Sequence, residues 1–209
     1  MRLAFVLLLP AVVIAGLLLL LARDDAPDAL VRADVAGVKL AYPRAYARDD
    51  ATAAGGLADR LAFIASFPAF VPLPATSQGA APSIVMTVTP KDDSLDPQER
   101  PAKLYARFLT PESLVGPGGL VLRRFERASP YDTEELFIAP PEGRSFFARC
   151  VRPQIGAPDE GCLSVFRDGG LDVELRYPAG LLEQWDALYE GAHALLARMR
   201  AARARAGVR

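Results

Sequence analysis

Asparagine is absent from all 209 residues, so no N-linked glycan can be attached to the chain. There is one histidine, His193, and there are two cysteines, Cys150 and Cys162. That inventory falls short of the four Cys or His ligands of a structural zinc site, and no metal is expected. Lysine occurs only at positions 39, 91 and 103, so arginine carries nearly all of the positive charge. Missing asparagine beside abundant alanine and arginine reads as the codon bias of a GC-rich bacterial genome. The formal net charge is −1, which gives no whole-protein field of the kind that recruits nucleic acid. Nor is there a cofactor fingerprint. The glycine-rich "VGPGGLV" at 115–121 lacks the Lys-Ser/Thr of a phosphate loop and the spacing of a dinucleotide turn, so no cofactor is expected.

What the sequence does have is a long apolar start. From Leu3 to Ala22 no charged or strongly polar side chain occurs. A helix rising about 1.5 Å per residue needs roughly 20 apolar residues to cross a bilayer core, and this run suffices. Pro10 and Gly16 are tolerated in membrane spans. The competing reading is a cleaved signal peptide, whose apolar region is usually about 7 to 15 residues and ends in a small-x-small site. Here the run is longer and ends "LLLLLARDD", with Leu20 where a small residue is wanted. Residues 1–25 are therefore expected to form an uncleaved signal anchor in the bacterial inner membrane. Flanking charge does not orient it, because Arg2 lies on one side and Arg23, Arg32 and Lys39 on the other. The two-residue N-terminal tail resembles an export signal and the lone cysteine pair suits an oxidising compartment. Both point to a periplasmic C-terminal domain.

Beyond the anchor, 26–36 is charged and proline-bearing and reads as a tether, with a globular domain over 37–200 and a basic tail over 201–209. Strands are expected at "GVKLAYP", at "LADRLAFIASF" with Leu61, Phe63, Ala65 and Phe67 on one face, and at "SIVMTVTP". Between them, "RAYARDDATAAGG" and "PAFVPLPATSQGAAP" read as loops. Asp96, Pro97 and Glu99 supply a cap, a first-turn proline and a capping-box acid for a middle helix. The acidic group Asp92, Asp93 and Asp96 is thereby explained as capping, since it lacks the glycine and distal glutamate of a calcium loop.

From Gly119 onward five apolar-rich runs are separated by short stretches of Pro, Gly and Asp, the pattern of an antiparallel meander. The last run alternates Leu171, Val173, Leu175 and Tyr177 with Asp172, Glu174 and Arg176, as in a sheet with one dry face and one wet face. The chain closes on an amphipathic helix. Its stripe is Leu181, Trp185, Leu188, Ala192, Leu195 and Met199, widened by Leu182, Tyr189 and Leu196. The fold class is α+β: a meander of roughly six to eight strands covered by a middle helix and a long C-terminal helix.

Cys150 ends one strand-like run and Cys162 begins the next, with eleven residues between them. A thiol-exchange centre wants Cys-x-x-Cys at a helix start. The expected arrangement is instead a disulfide across neighbouring strands, pinning the loop 151–161.

His193 falls near Asp186 and Glu190 on the closing helix, away from the stripe, and is expected to be solvated. No serine occupies a Gly-x-Ser-x-Gly elbow, and Glu134 and Glu135 cannot be set across a cleft by sequence. In the basic C-terminal stretch, Arg198, Arg200, Arg203 and Arg205 complement the helix end or touch an anionic partner. The expected function is a membrane-anchored periplasmic binding module for a protein or envelope ligand, using loops such as 70–82 and 151–161. The alternative is a cell-envelope hydrolase whose carboxylates or His193 converge only in the fold.

Overall fold

The computed structural model describes residues 26–73, 81–152 and 161–206. The expected anchor, residues 3–22, lies outside them. Among the described residues no helix is long and apolar enough to cross a membrane.

The chain does not reach the sheet through a tether. Pro27 and Ala29 already accept backbone hydrogen bonds from Ala45 (2.9 Å) and Arg44 (2.8 Å). Residues Leu30–Val35 then form β1, with Val31, Ala33 and Val35 buried and Leu30 and Arg32 exposed. β1 pairs antiparallel with β2, Val38–Pro43, and parallel with the two-residue β3, Gly56–Leu57. This three-stranded sheet, ordered β2-β1-β3, was not anticipated. The stretch before β3 is not a plain loop either. It holds a one-turn 3₁₀ segment, Arg44–Tyr46, and a short helix α1, Asp50–Ala54, whose cap Asp49 accepts from the Thr52 N–H at 2.8 Å.

The main sheet has eight strands: β4 Leu61–Ser66, β5 Ser83–Pro90, β6 Leu109–Val115, β7 Val121–Phe125, β8 Glu134–Ile138, β9 Phe147–Val151, β10 Cys162–Asp168 and β11 Leu171–Tyr177. Their order is β4-β5-β11-β10-β9-β8-β7-β6, with every pairing antiparallel. The five meander runs all appear as strands. β6 is an addition at the sheet edge, irregular between Leu109 and Ser113 and mostly exposed.

One face of this sheet carries Phe63, Met86, Val173, Leu175 and Phe166, packed against the inner face of the small sheet and against α2, Trp185–Ala206. A 3₁₀ turn, Ala179–Gln184, leads into α2. The expected stripe is the buried one: Leu181, Leu188, Ala192, Leu195 and Met199 all sit at 5% exposure or less. Burying α2's three large aliphatic side chains, Leu188, Leu195 and Leu196, contributes on the order of 6 kcal/mol before entropy is counted. α2 runs to Ala206, so positions 201–206 of the expected tail are helical.

The second face is covered on one side only. Asp96 accepts from the Gln98 N–H (3.0 Å) and Pro97 starts a helical turn, as expected. No regular helix follows. The segment runs as a 3₁₀ turn Pro97–Glu99, a π turn Pro101–Tyr105 and a second 3₁₀ turn Ala106–Phe108. Pro101 has no N–H to give and sits four residues after Pro97, so a plain α ladder cannot form through it. Tyr105 from this segment packs with Phe125, Leu136, Ile138 and Phe147 in a second, smaller core over β7 to β9.

Candidate functional site

Among the described residues, the covering segment leaves the rest of the second sheet face open. Register brings one cross-strand row onto it: Arg123 opposes Leu136, Leu136 opposes Arg149, Arg149 opposes Leu163, Leu163 opposes Arg176, Arg176 opposes Val85, and Val85 opposes Ile64. Side chains directly opposite on neighbouring strands stand about 4.5–5.5 Å apart, so the row is continuous. Where it leaves the small core it crosses a depression of about 360 Å³, lined by Ser83, Val85, Glu134, Arg149, Leu163 and Arg176 among others.

The charges there are organised rather than loose. The Arg149 guanidinium lies 3.1 Å from Glu134, with both side chains only about a fifth to a quarter exposed (20% and 25%). It also faces the rings of Tyr131 at 5.2 Å and Tyr105 at 5.6 Å. Burial pushes the Tyr105 hydroxyl above its ordinary pKa. Arg176 is far more open, 61% exposed, and meets Glu174 at 2.7 Å. A rigid, aromatic-backed ion pair thus sits beside an exposed arginine, with Leu163 and Val85 between and beside them. Such a surface offers apolar contact and directional charge, and among the described residues Glu134 is the one acid that lines the depression.

The cysteines lie on neighbouring strands as expected. Cys150 and Cys162 are directly opposed in β9 and β10, their Cα atoms 4.0 Å apart, and are joined by a disulfide. Both side chains are buried on the α2 face. The linkage therefore fixes the strands at the depression, which Cys162 itself helps to line.

His193, expected to be solvated, is only about a third exposed (34%) and is packed against the sheet. Its ring lies tilted over Phe166 (4.1 Å) and meets Tyr189 edge-on (4.5 Å), and Nδ1 lies 3.6 Å from Asp168. Asp168, at the end of β10, also takes a 2.6 Å bond from Arg200. The helix neighbours Asp186 and Glu190 are not its partners; the strand below α2 supplies them. Nε2 of His193 is buried and makes no hydrogen bond. His193 faces the core side, opposite the depression, so the two do not converge.

Other candidates resolve into architecture. Asp92 accepts from Ser94, and Arg167 clamps Asp172 through two bonds (2.6 and 2.9 Å) while reaching Asp92 at 3.3 Å. The bonds it donates to Asp172 hold the Arg167 guanidinium above its ordinary pKa. Among the described residues no group of three acidic, histidine or cysteine side chains is placed to hold a metal. The 116–119 glycines dock the helix start: Trp185 Nε1 donates to the Gly118 carbonyl (2.9 Å), and a Cβ at Gly118 would come within 2.8 Å of the Leu182 carbonyl oxygen. Arg198 donates to the Phe70 carbonyl (3.2 Å) and Arg200 to Asp168, so the domain itself engages both. Arg203 and Arg205 lie on the last turns of α2.

The loops divide. Phe70, at the start of the expected 70–82 loop, is 2% exposed and packs against α2 at Gly191; residues 74–80 and 153–160 lie outside the described set. Sequence reasoning missed the Arg149–Leu163–Arg176 row, because its members come from three strands and only register aligns them.

The chain is a mixed α+β domain built on a large antiparallel sheet with a C-terminal helix. Comparison with known proteins finds no matching family and no matching curated protein. Among solved structures it is similar to Smlt3025, an immunity protein of the Stenotrophomonas maltophilia type IV secretion system. The identity is 16% and the TM-score 0.59, over 82% of this chain and 93% of that one. It is also similar to the Neisseria meningitidis iron-regulated outer membrane lipoprotein FrpD, at 14% identity and a TM-score of 0.42 over 71% of this chain and 80% of that one. The first likeness shows a shared fold.

Proposed function

We propose that the chain is a membrane-anchored binding module on the periplasmic side of the bacterial inner membrane, held by residues 3–22, and that it acts by seating a protein partner on the open half of its second sheet face. The observation that carries this reading is the half-covered face itself. One half is sealed by the 97–108 segment, while the other keeps Leu163 and Val85 beside Arg176 in a shallow depression over a rigid sheet. A shallow depression flanked by a half-buried ion pair and one exposed arginine is suited to a protein surface rather than to a small molecule that must be enclosed. The oxidised Cys150–Cys162 pair supports an exported domain, since such bonds persist in the periplasm and are rare in the cytosol. Its fold is shared with an immunity protein of a secretion system, which supports a partner-binding use of the scaffold.

The test is photocrosslinking in intact cells with a photoreactive residue at Leu163 or Val85 of the full chain. A discrete protein adduct is expected at both positions, weakened by Arg176→Glu. Absence of a protein adduct at both positions would overturn the reading.

A further inference from the structure

Among the described residues, the outer face of the small sheet is the second open surface. Five large apolar side chains stand exposed among the described residues, and two of them, Leu30 (41%) and Leu57 (90%), lie on this face. In register, Arg32 opposes Ala41, Asp34 opposes Lys39, and Leu57 lies next to Asp34, so Arg32 and Lys39 share the face with the two leucines. Both basic residues are exposed, and the Asp34 carboxylate is engaged by the Gly37 N–H at 2.7 Å. A depression of about 310 Å³ runs between them over Gly56, where a Cβ would meet nothing within 4 Å.

Chain length says what can reach it. The domain takes hold of the chain at Pro27, whose carbonyl accepts from the Ala45 N–H. Only residues 23–26 separate that point from Ala22, the last residue of the apolar run. Five extended steps span at most about 18 Å. The headgroup layer on one side of a bilayer takes up about 5 to 8 Å of that. What remains is comparable to a Debye length of about 8 Å at physiological salt, so basic residues on this side of the domain feel the headgroups.

We infer that the outer face of the β2-β1-β3 sheet lies on the lipid surface in which the chain's own N-terminus is anchored, with Leu57 and Leu30 entering the headgroup region and Arg32 and Lys39 meeting anionic lipid. The occupant is the membrane rather than a second copy, because the four-residue connection brings this end of the domain to the bilayer in every copy. Apolar side chains flanked by basic ones are the composition of interfacial surfaces. The arrangement also leaves the Arg149–Leu163–Arg176 face on a different sheet, free for a partner. The inference rests on residues 3–22 spanning the membrane.

The experiment uses the full chain in nanodiscs of phosphatidylcholine and phosphatidylglycerol. Leu57→Cys carries an environment-sensitive fluorophore, and the lipids carry a headgroup spin label. Val115, as exposed as Leu57 at 95%, is the matched control as Val115→Cys. Quenching at position 57 is expected to be several-fold stronger than at 115, and to fall when Arg32→Glu and Lys39→Glu are added. Equal quenching at the two positions overturns the inference, as does a blue shift at 57 without lipid quenching, the signature of a second copy on the face. Alkaline carbonate extraction of membranes separates the two readings. Release of the chain removes the anchor and the inference with it, whereas retention with equal quenching removes the inference alone.

Discussion

Gly191 lies in the middle of α2, where glycine costs about 1 kcal/mol relative to alanine. A Gly191→Ala change would therefore stabilise an isolated helix. The structure reverses the sign. A Cβ on Gly191 would fall 2.1, 2.5 and 2.8 Å from three atoms of the Phe70 ring. That ring has little room to retreat. Phe70 is 2% exposed, its carbonyl accepts from Tyr46 (2.9 Å) and Arg198 (3.2 Å), and its ring meets Phe67 edge-on. Overpacking typically costs 1–3 kcal/mol, and contacts this short belong at the top of that range, about 3 kcal/mol. Subtracting the helix gain leaves a net loss of about 2 kcal/mol, or about 4–8 °C in Tm for a domain of this size. Phe70→Ala alone should cost about 3–5 kcal/mol. In that background Gly191→Ala should raise stability by about 1 kcal/mol, because the obstructing ring is gone. Urea and thermal unfolding of the four proteins in mild detergent, followed by near-ultraviolet circular dichroism, would give the coupling of about 3 kcal/mol directly. If Gly191→Ala is stabilising in the unaltered chain, or shifts both backgrounds equally, Phe70 is not seated against α2 as described.

Removing the Cys150–Cys162 bond through paired serine substitutions should cost about 3 kcal/mol, the loop-closure value for a ring of this length. Maleimide trapping in intact cells should label these positions in the unaltered protein only after reduction; free labelling would place the domain in a reducing compartment. The Thr52 hydroxyl and then its backbone N–H hold the Asp49 carboxyl below its ordinary pKa, with Arg60 adding to this. A depressed folded pKa means that the cap contributes fully above the unfolded value of about 3.9 and fades as pH falls through the folded one. Asp49→Ala should therefore cost about 1 kcal/mol at neutral pH and less in acid. An equal loss at neutral pH and at pH 2 would refute the assignment.

The meander was legible because its strands alternate in a period of two and are separated by turn residues. Leu171 to Tyr177 reads from sequence as it sits in the sheet. β6 escaped notice for the opposite reason: its residues from Pro111 to Val115 are all exposed at the sheet edge, so no alternation was imposed on them. β1 did carry a signal, Val31, Ala33 and Val35 between Leu30, Arg32 and Asp34, which the charges of the supposed tether masked. α1 is too short for a helical period, and only its Asp49 cap marks it. The middle helix was located by its cap, but the prolines at 97 and 101 broke its regularity. His193 was misplaced because the sequence shows only its helix neighbours, whereas its ring partner Phe166 and its charge partner Asp168 come from β10. The open row suffered likewise, since no local pattern states that positions 149, 163 and 176 lie side by side.

The covalent link at the mouth of the β9–β10 hairpin separates two tasks that an ordinary hairpin must solve together. In most hairpins the turn residues set the register of the strands, so the turn sequence is constrained by the fold. Here Cys150 and Cys162 set the register themselves, one residue inward from where the connection begins. Val151, Arg152 and Gly161 still bond into the sheet, Val151 opposite Glu134 and Arg152 to the Thr133 carbonyl, so any freedom falls to the positions between Arg152 and Gly161. Insertions, deletions and exchanges there should leave the strands beneath in place, and a lineage could revise that segment repeatedly without refolding the domain.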